Sequence, residues 1–338
     1  MSSRYMSQAE PLFSVVIPAY KAAGFIRQTL RSVYAQTEQD FEIVVVNDGS
    51  PDNTAEVLEQ ETDPRLRVIT QPNGGECAAR NRGVREARGV YVAFLDSDDA
   101  WLPDHLELAR RFFEQHPGYD WFSTRPRRTP EISESDLKIS ADAHEGYWLV
   151  DWYLEGDDQT SSSSAVLRRE ALDGSDLFPV GVRMFGDGIG WCRFARKHRM
   201  MGTSHHTTAL YRIWGGSATD TYLANTGGAK AGTALDAFLL QQEMFNNPEF
   251  PDEARLFFRK ASLYNWWIRA RSTSLRGWVD EIRQRRSVNG AFLTAWLLFC
   301  AHTSHFFALT MGKIVRLQYN AVERRQKRLA AQSRRFLG

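Results

Sequence analysis

Three carboxylates fall within four residues where an apolar run stops: Val90-Tyr-Val-Ala-Phe-Leu95 leads straight into Asp96, Asp98 and Asp99. Like charges gathered at one point cost electrostatic energy unless a cation or solvent relieves them. A hard divalent cation, Mg2+ or Mn2+, would relieve them well, because such ions take carboxylate oxygens together with substrate phosphates. Asp96 and Asp98 are therefore the candidate metal ligands. Asp99 is expected to cap a helix that starts near Trp101-Leu-Pro-Asp104. The competing account makes one or two of these acids helix caps and nothing more.

Elements that would carry these acids can be read from periodicity. Phe13-Ser-Val-Val-Ile-Pro18 is a short strand-like run, and Ile26, Leu30, Val33 and Tyr34 then recur at helical spacing. Residues 41–47 read as a second strand, 53–61 as a helix capped by Asp52 or Asn53, and 67–70 as a third strand. A helix over 76–87 and a strand over 90–95 follow. Val- and Ile-rich runs separated by helices imply a parallel sheet covered on both faces. Each strand ends in polar or glycine residues: Pro18-Ala-Tyr20, Asn47-Asp-Gly-Ser50, Gln71-Pro-Asn-Gly-Gly75 and the acidic cluster. In a parallel sheet these tips share the carboxyl edge, where ligands of open α/β sheets bind. The G-x-G-x-x-G and G-x-x-x-x-G-K-[ST] patterns are both missing, which disfavours a dehydrogenase or a P-loop enzyme. Beyond residue 119 the reading is a strand over 119–124, a loop over 125–140, a strand over 161–167, a helix over 187–198 and a strand over 206–213.

Whole-chain totals narrow the classes. The 338 residues allow one large domain with an appendage, or two domains. A formal net charge of +1 argues against a nucleic-acid-binding body. Cys77, Cys192 and Cys300 have no metal-ligand spacing, so a reducing compartment is expected. The first ten residues hold no apolar signal region, so no secretion address is expected.

Together these stretches resemble the family 2 glycosyltransferases of the GT-A fold. The matching residues are Val15-Val-Ile-Pro-Ala-Tyr20, Val46-Asn-Asp-Gly-Ser50, Asn73-Gly-Gly75, Ala79-Arg-Asn-Arg-Gly83, Ala93-Phe-Leu-Asp-Ser-Asp-Asp99 and Ser164-Ala-Val-Leu-Arg-Arg-Glu170. They follow the family's order, and the ordered set is far more specific than any one motif. The resemblance implies a GT-A α/β fold, Rossmann-like, with a mostly parallel central sheet and helices on both faces, followed by an α-helical C-terminal region. It implies an inverting transfer from a nucleotide-sugar donor, a UDP-sugar, to a glycan or lipid-linked acceptor in cell-surface polysaccharide or glycoconjugate synthesis, with Mn2+ or Mg2+. Carried over by motif, Pro18, Ala19 and Tyr20 would wall the base and ribose site, and Asp48 would hydrogen-bond the base edge. Asn73 and Arg80 would support the nucleotide. Asp96 would meet the ribose or the metal's hydration shell, and Asp98 would ligate the metal.

An inverting transfer needs a base to take the acceptor's proton. In the family this is the aspartate of a Glu-Asp pair, and anchoring on Trp191 and Arg193 places it at Asp187. A Gly-Asp-Gly turn also suits a helix N-cap, and one aspartate can do both. The chain departs from the pattern at three places: Gly186 stands for the glutamate, Ile189 for a later acid, and Trp214 for a frequent metal-binding histidine. His205 or His206 could replace that imidazole, or each could be an ordinary strand or loop residue. Two alternatives stay open: a non-catalytic nucleotide-sugar-binding or scaffold relative, and a sugar nucleotidyltransferase, which the lack of a glycine-rich basic loop after the first strand disfavours.

A soft boundary near Ala224 divides a catalytic domain, 1–224, from a helical region, 225–338. Phe257, Ala261, Tyr264, Trp267 and Ile268 form one stripe, and the run 291–311 approaches the ~20 residues that span a bilayer. His302, Thr303, Ser304 and His305 interrupt it. Lys313, Arg316, Arg324, Arg325, Lys327, Arg328, Arg334 and Arg335 follow with one acid, Glu323. An aromatic helix beside a cationic one suits the cytoplasmic surface of an anionic membrane, so a cytoplasmic protein peripheral at the inner face of the cell membrane is expected. Packing on the catalytic domain, dimerisation and a true span are the other accounts. Arg125, Arg127 and Arg128 are either a solvated loop or a grip for a lipid diphosphate acceptor.

Overall fold

The computed structural model describes residues 10–133, 135–138, 146–152, 160–181, 186–204, 206–215 and residues 320, 321 and 324. In chain order the elements are β1 (Phe13–Ala19), α1 (Ile26–Tyr34), β2 (Phe41–Asp48), α2 (Thr54–Glu59), β3 (Leu66–Gln71), α3 (Glu76–Glu86), β4 (Tyr91–Phe94), β5 (Ala100–Trp101) and α4 (His105–Gln115). Then come β6 (Trp121–Phe122), β7 (Arg127–Thr129), β8 (Tyr147–Asp151), β9 (Val166–Arg168), α5 (Gly186–Ala195), β10 (Met200–Ser204) and β11 (Ala209–Arg212).

Eight strands make one sheet in the order β3-β2-β1-β4-β9-β6-β10-β8. β1 pairs in parallel with both β2 and β4, β2 with β3, and β6 with β10; β9 runs antiparallel to its neighbours β4 and β6. Every residue of β1 and β2 is buried, as a strand must be when helices cover both faces of its sheet. α1 turns Ile26, Leu30 and Val33 into the main core beside Val15, Ile17, Ile43 and Val45. On the other side α3 lays Ala79 against Val44 and Val46. Each such aliphatic side chain contributes about 1.5–3 kcal/mol by leaving water. This is the mostly parallel sheet, covered on both faces, that the alternating periodicity implies. A second sheet, β5-β11-β7, carries a small core of Ala100, Leu102, Ile132 and Leu210.

Several local expectations change. The helix after the acidic cluster begins only at His105, because Ala100 and Trp101 pair with β11. Asp99 therefore does not cap it; Asp104 takes the N-cap position, without a side-chain capping bond. The stretch 125–140 is not all loop, since β7 pairs in parallel with β11. The strand expected over 161–167 starts at Val166, because residues 162–164 form a turn. β10 carried no clear periodicity in the sequence and is set by its pairing with β6.

All of these elements except Asp151 belong to the first of two compact units, Met1–Val150, Gly156–Gly181 and Gly186–Ile213; Trp214 begins the last segment of the second. Residues 225–338, the expected helical and basic region, lie outside the described residues apart from Asn320, Ala321 and Arg324. Among the described residues no helix is long and apolar enough to cross a membrane.

Candidate functional site

The exits of β1, β2, β3 and β4 are tied to one another at the carboxyl edge. Asp48 closes β2 and is almost fully buried. Its Oδ1 accepts from Gln71 Nε2 at 2.7 Å and from the Gly74 N–H at 2.9 Å; its Oδ2 accepts from the Gly75 N–H at 2.8 Å. Asn73 Nδ2 donates to the Asp48 carbonyl at 3.1 Å. Gly49 has φ +64°, and a Cβ there would sit 2.8 Å from the Asn73 nitrogen, so glycine is needed at this turn. A charged acceptor with backbone donors on both oxygens fixes the loop that starts α3. From β1, the Lys21 N–H donates to Ser50 Oγ at 3.2 Å and the Ala22 N–H to Thr54 Oγ1 at 2.9 Å. Pro18 and Ala19 are buried, whereas Tyr20 is 46% exposed with the Lys21 ammonium 5.4 Å from its ring centre.

After β4 the three acids divide their tasks. Asp99 is buried: Ser163 Oγ donates to its Oδ2 at 2.5 Å and the Arg212 N–H to its Oδ1 at 2.8 Å. Desolvation first, then the charges of Asp96 and Asp98, push its carboxyl well above the usual range. The same Ser163 hydroxyl accepts from the Asp96 N–H at 3.1 Å, and Arg212 Nε donates to the Asp98 carbonyl at 2.8 Å. Asp99 thus anchors the turn, while Asp96 and Asp98 remain partly exposed on it. Asp96 Oδ1 accepts from Arg80 Nη2 at 2.6 Å. Among the described residues there is no group of three or more His, Cys, Asp or Glu arranged to hold a metal. The hard oxygens of Asp96 and Asp98 nevertheless fit a cation that draws its other ligands from a diphosphate and water.

Arg80 and Asp187 complete the edge. Arg80 is buried beneath Asp96; Glu76, one turn earlier on α3, also pairs with it, and the Phe178 ring lies 5.6 Å from its guanidinium carbon. Burial works against its charge, but Asp96, Glu76 and Asp187 outweigh it and raise the group. Although 52% of the Glu76 side chain is exposed, its carboxyl is raised above the ordinary range. Desolvation is the larger cause; Asp96 and Asp187 add to it, against the pull of Arg80. Asp187 lies in the first turn of α5, and Ser162 Oγ donates to its Oδ2 at 3.1 Å.

The departure at Gly186 now has a physical reason. A Cβ there would lie 2.2 Å from Cys77 Sγ, so the start of α5 rests directly on α3 and no side chain fits. Gly190, one turn on, would place a Cβ 2.5 Å from the Phe178 ring. Cys77 is buried, and desolvation pushes its thiol up to about 12.

Pro18, Ala19, Tyr20, Asp48, Asn73, Arg80, Asp96 and Asp98 all stand at this edge; Asp187 is bonded to Ser162, and its charge acts on Arg80. The His206 ring is taken up by a different acid: its Nε2 pairs with Asp104 Oδ2 at 2.7 Å, at the start of α4. His205 lies outside the described residues. Arg127 pairs with Asp136 at 2.7 Å, and Arg128 lies over the Tyr211 ring. Sequence reading expects the loop near Ser161 to Ser164 around the sugar ring, which holds Ser162 and Ser163, and misses Glu76 and Arg212 as parts of the site. Only Glu76 carried a usable signal, its i,i+4 spacing to Arg80.

Comparison with known proteins bears on the family and the fold. Residues 14–173 match the family model described as glycosyl transferase family 2. A relative from Rickettsia felis called an uncharacterized glycosyltransferase is 30% identical over 208 residues, 61% of this chain and 34% of its own length. The chondroitin synthase of Pasteurella multocida is 44% identical over 105 residues, 30% of this chain and 11% of its own. The chain thus spans about a third or less of these relatives' length. Among solved structures, S. aureus TarS 1-349 in complex with UDP-GlcNAc superposes with a TM-score of 0.58 at 18% identity, covering 96% of this chain and 91% of that one. The mannosyltransferase PcManGT from Pyrobaculum calidifontis, in complex with GDP-Man and Mn2+, gives 0.55 at 18%, covering 95% and 88%. At that identity the likeness is one of fold.

Proposed function

Because residues 14–173 of this chain belong to glycosyl transferase family 2, we propose that it is an inverting glycosyltransferase acting on a nucleotide sugar, a UDP-sugar, in cell-surface polysaccharide or glycoconjugate synthesis. The acceptor in this reading is a glycan or a lipid-linked saccharide. One observation carries it: four strand exits and the first turn of α5 bring Asp48, Arg80, Asp96, Asp98 and Asp187 to one edge of the sheet. The names of the relatives and structural neighbours support the substrate class.

In this mechanism Pro18, Ala19 and Tyr20 line the base and ribose, and Asp48 holds the loop that carries Asn73 beside them. Asp96 and Asp98 would hold Mn2+ or Mg2+, which when bound neutralises charge on the departing diphosphate. Arg80 supplies a fixed positive charge beneath Asp96. Asp187, oriented by Ser162, takes the proton from the acceptor hydroxyl as its oxygen attacks the anomeric carbon and the sugar–phosphate bond breaks. The reading keeps 1–224 as the catalytic domain and 225–338 as a helical region whose arginines and lysines touch the cytoplasmic face of an anionic membrane.

UDP release from a panel of UDP-sugars with Mn2+ tests the assignment. Wild type is expected to turn over at least one donor, Asp98→Ala to lose metal-dependent release, and Asp187→Asn to lose kcat by about 10²-fold or more with donor affinity kept. UDP binding with no turnover on any donor or acceptor tried would move the assignment to a nucleotide-sugar-binding scaffold.

A further inference from the structure

Arg80 is one guanidinium among three carboxylates. Its Nη2 serves Glu76 and Asp96, and Asp187 adds to the field that keeps it charged. Phe178 lies along the guanidinium, and Arg80 Nε is buried with no hydrogen-bond partner among the described residues. A buried cation with an unused donor gains from any further carboxylate within reach. The contact of Gly186 with Cys77 holds the start of α5 against α3, so Asp187 cannot draw away from that field without unpacking two helices. The charged and titratable groups here are Glu76, Cys77 and Arg80 on α3, Asp96 after β4, and Arg193 on α5 itself.

We propose that Glu76 is a positioning residue that occupies Arg80, so that Arg80 serves Asp96 and leaves Asp187 available to accept a proton. This rests on the assignment of Asp187 as the base. Were Glu76 absent, Asp187 would be the remaining carboxylate for Arg80 to take, and a carboxylate paired with guanidinium is a weaker base. Glu76 itself meets neither the reacting carbon nor the proton in this account. It also answers the missing side chain at position 186: the second carboxylate beside Asp187 comes from α3, where Cys77 leaves no room on α5.

The test uses the full chain and the UDP-sugar released fastest in the panel above, comparing Glu76→Ala, Glu76→Gln and Asp187→Asn. Glu76→Ala is expected to lower kcat by roughly tenfold while KM for the donor stays within about twofold. The acid limb of its kcat profile should move to lower pH. Glu76→Gln should recover part of the loss, since its side-chain carbonyl still accepts from Arg80. A crystal structure of Glu76→Ala should show the guanidinium turned onto Asp187; if that variant does not fold, Glu76→Gln carries the same kinetic readouts. An unmoved Arg80, an unchanged kcat, a loss confined to KM, or an unshifted acid limb with a lowered Tm each overturns the proposal. If Asp187→Asn keeps wild-type turnover, the base assignment fails and takes this proposal with it. If Asp187→Asn is inactive and Glu76→Ala behaves as wild type, only the role of Glu76 falls.

Discussion

Asp48 shows how much one carboxylate can organise. Both of its oxygens are filled by donors from the loop after β3, so it shapes that loop before any ligand arrives. Asp48→Asn keeps the size but turns an amide towards the Gly75 N–H and removes the charge. We expect a stability loss of about 2–3 kcal/mol, read by urea unfolding, together with weaker UDP binding in calorimetry. Unchanged stability would mean that the loop holds its shape without the carboxylate. The residue itself was legible, because an Asp-Gly pair closing a buried strand stands out. Its partners were not: Gln71, Gly74 and Gly75 lie more than twenty positions away and meet it only across the sheet.

At the scale of elements, the contact between α3 and α5 decides the site. Two helices approach so closely at Cys77 and Gly186 that an added methyl has no space. Gly186→Ala is expected to cost about 1–3 kcal/mol by overpacking. In a Cys77→Ala background the nearest atoms to that methyl are 3.9 Å away, apart from the deleted sulfur, and the same change should stabilise by up to about 1 kcal/mol through helix propensity. A double-mutant cycle reads the difference, and additive effects would show that the two positions do not meet. From the sequence Gly186 is only a lost glutamate; its reason is a sulfur more than a hundred residues earlier.

At the scale of the whole molecule, the buried histidine at the start of α4 contributes to the acid response. His105 has no exposed surface, stacks on Trp101 at 4.2 Å and shares a 2.7 Å hydrogen bond with Thr208 Oγ1. Desolvation first, then His206, lower it to about 3. The folded chain therefore holds His105 neutral where the unfolded chain, near pH 6.5, takes up a proton. Its contribution to stability is complete above about pH 6.5 and is lost progressively as pH falls towards 3. Denaturation of wild type and His105→Gln should diverge in slope as pH falls through 6.5, the difference approaching about 1.4 kcal/mol per pH unit near pH 4.5. Equal slopes would mean that the imidazole protonates in the folded state.

Periodicity was enough for the order of strands and helices through β4, because a strand buried on both faces must be apolar along its length and the helices between must carry one apolar stripe. The polar strand exits followed from the same pattern, since parallel strands deliver their ends to one edge. What the linear order could not contain is which distant groups meet there. Asp99 became an anchor instead of a cap, Ser163 joined two acids, Arg80 met Asp96, and Asp187 came within the field of that arginine, all between residues far apart in the chain. Local pattern follows from each residue's own preferences; the charge balance of the site follows from packing, and packing exists only once the sheet has formed.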